Sequence, residues 1–208
     1  NLDKPQPEQY VRYMGKVLQG DLGTIFNVNK VSDQLGDRWP TTIKLAIIAI
    51  GFEAIIGISA GLLAGLRRRS FWDSLVFVTT LVIISIPSFV LGSVAQMVFG
   101  VRLGWFPVTA TQGTWEQLLL PGFELGSMSI AYVARLTRNS LAENLSADYV
   151  RTAKAKGLSA GRVVGIHTFR NSLVPVVTFI GADLGALMGG AIVTERIFNI
   201  PGAGGYIF

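Results

Sequence analysis

Three carboxylates, Glu53, Glu124 and Asp183, stand inside otherwise apolar runs of this 208-residue chain, and its single histidine, His167, sits in a basic stretch between two such runs. An ionised acid at bilayer depth costs on the order of 2.5–3.5 kcal/mol on insertion scales, so each of the three should face protein or water. Glu53 precedes Gly57 by four residues and shares its face, which favours a contact between helices, and Glu124 reads the same way. Asp183 lies about 200° around its helix from Gly181. There it either bonds a neighbouring helix or lines a polar wall for a zwitterionic solute. His167 reads as a helix-surface residue rather than a catalyst. The chain has no cysteine, hence no disulfide, thiolate metal site or thiol nucleophile. Neither a G-x-x-x-x-G-K-S/T phosphate loop nor an H-E-x-x-H metal helix occurs, so the chain cannot itself hydrolyse ATP.

The elements that would hold these residues are apolar. Half of the residues are hydrophobic and 15% are charged, against roughly 25% charged in soluble domains. The net charge of +5 falls between apolar runs, a pattern that suits an anionic membrane face and not nucleic acid. Runs at 43–66, 71–100, 118–138 and 173–193 each reach the roughly 20 residues that cross a bilayer, and predict four transmembrane helices. The second would be about 45 Å long, so it must tilt, project or bend, and Pro87 in "SIPSF" supplies a kink. Arg67 to Arg69 follow the first run, a second basic loop lies between the third and fourth, and loop 101–117 is nearly neutral. The positive-inside rule then places 1–42 and 194–208 outside, with a core at 43–193 and an inner loop at 139–172. An extracytoplasmic start implies a helix before Asn1. Nothing at the start resembles a signal peptide, since no apolar h-region is present. Gly57, Gly61 and Gly65 in the first run and Gly181, Gly185 and Gly189 in the fourth form two small-xxx-small stripes, which predicts that these two helices pack on each other.

The stretch 148–175, "DYVRTAKAKGLSAGRVVGIHTFRNSLVP", holds five Arg or Lys. Asp148 suits the first turn of a short helix, and Gly157 its left-handed end. Ser159 is an N-cap candidate for a second helix whose apolar stripe would be Val163, Ile166, Phe169 and Leu173. Helix, glycine elbow, helix is compatible with an ordinary positive-inside loop, a lipid-headgroup patch or a docking knob for a cytoplasmic protein.

This stretch resembles the cytoplasmic loop of bacterial ABC-importer permeases, in the form of the dipeptide and oligopeptide permease family. "YVRYMGKVLQGDLGTIF", "VSDQLGDRWPTTIKLA", "LGWFPVT", "AYVARLTRNSLAENL" and "GGAIVTERIFNIPGAGGYIF" extend the likeness, in order, along essentially the whole chain. Two departures narrow it to the peptide type. Arg151, Thr152 and Ala153 stand where the general signature has Glu-Ala-Ala, and Arg170 stands where many permeases have proline.

The resemblance implies an all-α integral membrane protein, a type I importer helical bundle with four of about six transmembrane helices present. A further helix would follow Phe208. It implies a multi-pass subunit of the bacterial plasma (cytoplasmic) membrane that forms half of a pathway for di- or oligopeptides and is not an enzyme. Its implied partners are a second homologous permease subunit, two ATPase subunits, an extracytoplasmic substrate-binding protein and membrane lipid, with no nucleic acid. No cofactor binds this chain; ATP-Mg belongs to the ATPase. The elbow would be the coupling helix, with Asp148, Tyr149, Arg151, Thr152 and Ala153 along it and Lys154, Lys156, Gly157 and Leu158 around its turn. Asp183, Glu124 and Glu53 are the candidates for the pathway. Two other classes fit the residues alone: a proton-coupled secondary carrier that uses the intramembrane carboxylates, and a lipid-binding subunit without transport.

Overall fold

A computed structural model describes residues 5–25 and 29–206. The ends of two quoted motifs, at Phe26 and at Ile207–Phe208, lie outside the described residues. The chain divides between Pro40 and Thr41, two residues from the expected boundary, and each unit is described by itself.

In the first unit, α1 (Gln6–Val17) starts behind Pro5, with Glu8 in its first turn and Lys16 in its last, the arrangement the helix dipole favours. Gly20 and Gly23 take positive φ and turn the chain into a two-residue antiparallel ladder, β1 (Thr24–Ile25) with β2 (Asn29–Lys30). This ladder is the one departure from an all-helical fold among the described residues.

The next helix, α2 (Val31–Phe52), begins twelve residues before the apolar run does. It continues through a π-turn at Glu53–Gly57 into α3 (Ile58–Leu66), a 36-residue stretch of mean hydropathy 2.2 in its most apolar window. Arg69 holds a left-handed φ of 62° in the turn to α4 (Phe71–Ser85). There Asp73 receives the Arg69 N–H (2.9 Å) and both Nε–H and Nη2–H of Arg138, the latter at 2.9 Å. Pro87 does bend the second run. Ile86 is extended, as a residue before proline prefers, and the axis turns by 101° into α5 (Ser88–Ala95) and its π-helical continuation Gln96–Arg102.

The long helix α6 (Trp115–Leu145) opens on Thr114, whose hydroxyl oxygen accepts the Gln117 N–H. It packs against α3, α4, α5 and two of the helices that follow it, Arg170–Met188 and Ile192–Ile197. That central place explains a composition less greasy than a lipid-facing span requires: small and polar residues such as Gly122, Gly126, Thr137 and Ser140 are buried on it. Two single helices and the bent pair are long and apolar enough to cross a bilayer; α6, which covers the remaining expected span, is not apolar enough by the same measure, and it buries small and polar residues while Leu119, Phe123, Met128 and Tyr132 stay exposed.

After α7 (Asp148–Ala155) and α8 (Ala160–Arg162), a π-helical segment Val163–Phe169 runs into α9 (Arg170–Met188). The fourth span therefore starts earlier than 173 and stops at Met188, short of 193. Gly190 (φ 112°) breaks it before α10 (Ile192–Ile197), and a 3-10 turn covers Gly204–Tyr206. One core cluster, Leu45, Ala110, Leu118, Leu120, Phe198 and Ile200, sits near the start of α6. A smaller one, Val150, Ala153 and Val163 with Leu158 against it, sits just past its end.

The glycine stripes resolve differently from the expectation. Those at 57, 61 and 65 do mark a close approach, but the partner is α6. A Cβ on Gly57 would stand 2.8 Å from Val133 Cγ1, one on Gly61 would land on the Ala134 carbonyl and lie 2.6 Å from Thr137 Cβ, and one on Gly65 would be 2.8 Å from Leu141 Cδ2. From the other side, Gly122 and Gly126 of α6 receive Ile48 and Ala49 of α2. In α9, by contrast, a Cβ on Gly181 or Gly185 would meet nothing within 4 Å. A stripe announces that a backbone can be approached, not which helix does so.

Candidate functional site

The elbow forms as helix, glycine, helix. Gly157 takes φ 77°, and its N–H and that of Leu158 return to the carbonyls of Lys154 and Ala153, a left-handed helix end. Ser159 occupies the N-cap position in extended conformation, yet its hydroxyl makes no cap bond. The predicted stripe Val163, Ile166, Phe169, Leu173 does not hold. The residues facing inward are Val163, Thr168, Ser172 and Val176, while Ile166 is exposed. The π-helical backbone widens the first step to five residues, and Thr168 Oγ1–H donates to Val163 O across it (3.0 Å).

Of the candidate coupling residues, Val150 being their inward neighbour, Ala153 is buried and Leu158 packs onto the same cluster. These two anchor the elbow. Asp148, Tyr149, Arg151, Thr152, Lys154, Lys156 and Gly157 are exposed around it. Arg151 and Asp148 approach to 3.5 Å, both wide open to solvent, a contact worth little. The exposed surface is thus a mainly cationic knob on an apolar footing. His167, half-buried, lies in the π-helical segment next to it.

Two of the three carboxylates, Glu53 and Asp183, come together, and Glu124 has a different partner. Glu124 on α6 is buried, and its Oε2 accepts from Thr194 Oγ1–H of α10 (2.9 Å). It also borders a cleft of about 280 Å³ with Ser88, Met128 and Gly190. Glu53, in the π-turn after α2, is 0% exposed, and its oxygens meet no partner other than the carboxyl of Asp183. Its carboxyl lies close enough to that of Asp183 for their charges to interact. Asp183 is half-buried on α9, where Ser129 Oγ–H of α6 donates to its Oδ2 (2.8 Å). It points away from the glycine stripe, as its position on the helix requires. The glycine side is the open one, however, and the Asp183 side is packed.

A fourth acid carries more structure than any of these and was not singled out in the sequence. Glu195 on α10 is 1% exposed. Its Oε1 accepts from Thr42 Oγ1–H (2.9 Å) and its Oε2 from Gly205 N–H (2.6 Å), while Thr42 Oγ1 in turn accepts from Ala203 N–H (2.9 Å). The carboxylate therefore ties the start of the membrane stretch of α2 to the loop Asn199–Tyr206. Gly202 and Gly204 leave it room: a Cβ on either would collide with it. The signal available was the acid followed by glycines at 202, 204 and 205, but glycines after an apolar run read equally well as a plain loop.

Residues 57–208 match the family model described as binding-protein-dependent transport system inner membrane component. The chain is 38% identical to a dipeptide transport system permease protein of Alkalihalophilus pseudofirmus over 235 residues, covering 100% of this chain and 71% of the relative. It is 37% identical to a di/tripeptide transport system permease protein of Pseudomonas aeruginosa (99% and 70% covered). A glutathione transport system permease protein of Escherichia coli O6:H1 is 40% identical, with 98% of this chain and 66% of the relative covered. These likenesses span the elbow, the α6 seam and the Glu195 loop alike. The chain belongs to the inner-membrane-component family of binding-protein-dependent transport systems, as an ABC-importer permease of the peptide type.

Proposed function

We propose that this permease forms half of the translocation pathway of an ATP-driven importer of di- or oligopeptides, and that the α7–Gly157 elbow is its joint to a cytoplasmic ATPase. The full transporter would join it to a second homologous permease, two ATPase subunits and an extracytoplasmic binding protein that delivers cargo. The observation that carries the reading is the form of the elbow: a short helix seated by Val150, Ala153 and Leu158 on Val163, with its cationic residues outward and α9 continuing from it. A push on such a knob passes through the Val163 footing into α9. The peptide cargo rests on what the relatives' names say they carry.

Gly157→Pro tests the coupling. Proline fixes φ near −65°, which the observed 77° forbids, and Gly157→Val places a β-branched residue in a left-handed well that costs roughly 1–2 kcal/mol. In proteoliposomes holding the complete transporter, ATP-driven uptake is expected to fall by about tenfold or more, since the helix carrying the charges is redirected. Membrane insertion should be unchanged. Uptake at the normal rate by an assembled Gly157→Pro transporter refutes the joint. Collapse of wild-type uptake with an uncoupler, and indifference to vanadate, would instead favour a proton-coupled carrier.

A further inference from the structure

The turn between α3 and α4 carries Arg67, Arg68 and Arg69 in succession, all three exposed. The acid beside them, Asp73, is buried and already committed: both of its oxygens accept from Arg138, and Oδ2 also accepts the Arg69 N–H. Among the described residues, none of the three arginine side chains forms a salt bridge. Arg69 is also strained. Its φ of 62° lies in the left-handed well, which suits glycine and penalises any residue with a Cβ. An arginine that only kept the loop on the inner side would serve as well at a relaxed position, so the strain points to a use for this side chain where it stands.

Two neighbouring features belong to the headgroup level of a bilayer. Phe71 and Trp72, the first residues of α4, are exposed and meet edge to face with ring centroids 5.8 Å apart, and amphipathic rings gather at membrane interfaces. Beside them a cleft of about 250 Å³ lies between α4 and α6, lined by Asp73, Ser74, Phe77 and Arg138. Its two charges are paired with each other, so the acid does not repel an anion held at the turn. A soluble phosphate would use the arginines and leave the rings and the cleft idle. A phospholipid engages all three.

We propose that the turn at 67–69 binds the headgroup of an anionic inner-leaflet phospholipid with two phosphates, a diphosphatidylglycerol, whose acyl region lies against Phe71, Trp72 and the α4–α6 cleft. Guanidinium forks take phosphate oxygens in pairs. Three of them on successive residues exceed what one singly charged phosphodiester neutralises, so two joined phosphates match the turn better than phosphatidylglycerol does. The cradle is firm as well as charged. Gly61 and Gly65 hold α3 close to α6, and Arg138 ties α4 to the same helix. The surface depends on the chain's place in a membrane and not on the cargo it moves.

The complete wild-type transporter, stripped of lipid in a neutral detergent, is titrated with diphosphatidylglycerol or phosphatidylglycerol, with and without inorganic phosphate, and bound lipids are counted by native mass spectrometry. A basic residue near a headgroup is worth about fivefold in affinity. The two-phosphate lipid should therefore bind at least about fivefold more tightly than phosphatidylglycerol compared per phosphate, and inorganic phosphate should not displace it. Arg69→Gly relaxes the backbone, so it should weaken that binding about fivefold with no loss of thermal stability, and adding Arg68→Gln should weaken it about 25-fold in all. Arg69→Lys should keep most of the affinity. Arg162→Gln, which removes an exposed cation from α8, should change nothing. Equal binding of the two lipids to the wild-type protein overturns the proposal without any variant, and so does displacement by inorganic phosphate. An equal loss in Arg162→Gln also overturns it, since the attraction is then diffuse. Release of the ATPase subunits by Arg69→Gly with lipid binding intact assigns the turn to a protein partner and ends the lipid reading.

Discussion

A Gly61→Ala chain is expected to lose at least 1–3 kcal/mol of stability, and Gly61→Val to prevent assembly of the transporter altogether. Overpacking a tight contact costs roughly 1–3 kcal/mol, occasionally more. Relief usually comes from a side chain that swings aside. At Gly61 the obstruction is the Ala134 carbonyl and the Cβ of Thr137, neither of which can rotate away without moving α6. Gly51 provides the contrast on the same helical stretch, since a Cβ there meets nothing within 4 Å. Gly51→Ala should be neutral or gain up to about 1 kcal/mol from helix propensity. Thermal melts of the purified transporter carrying each variant decide the matter: a drop for position 61 with none for position 51 supports the seam, and equal behaviour of the two denies it.

Glu195→Ala is the second large effect. It removes the acceptor for the buried Thr42 Oγ1–H and for the partly buried Gly205 N–H. An orphaned buried donor costs about 1–3 kcal/mol, so the loss should be on the order of 3 kcal/mol, and it should be local at first. Glu195→Gln keeps the shape and still fails to restore the loop, because the amide nitrogen offers a donor where one of the two protein donors needs an acceptor. Hydrogen exchange of the Asn199–Tyr206 backbone reads this directly. Both variants should exchange faster there than the wild-type protein, with α7 unchanged; wild-type protection in Glu195→Ala would show that the carboxylate does not hold the loop.

What could be read from the sequence depended on how local the governing rule is. The elbow was legible because a left-handed helix end asks for glycine at one position, and Gly157 stands there. The bend at Pro87 follows from the same kind of short-range restriction. Partnership was not legible. Gly57, Gly61 and Gly65 advertise an approachable backbone, but the helix that comes close, α6, carries its own pair at Gly122 and Gly126 inside "PGFELG", too short a pattern to stand out. The π-helical segments left no compositional trace, since one residue of extra winding changes no residue type. Val163–Phe169 accordingly moved the inward positions from Ile166 and Phe169 to Thr168 and Ser172. Glu195 lay just past an apolar run, where an acid looks like ordinary punctuation, and its partner Thr42 is 153 residues away in sequence.

The close contact of α3 with α6 along the glycine face has a mechanical corollary. With only Val133, Thr137 and Leu141 of α6 set directly on the glycine face of the other helix, those two rods resist sliding or rolling past each other and serve as a single chassis. Freedom is left to the members bolted on less closely: the angled pair around Pro87, and α9, whose glycine flank is bare. Any stroke delivered at the elbow reaches the lighter leaf first and swings it against a frame that does not yield.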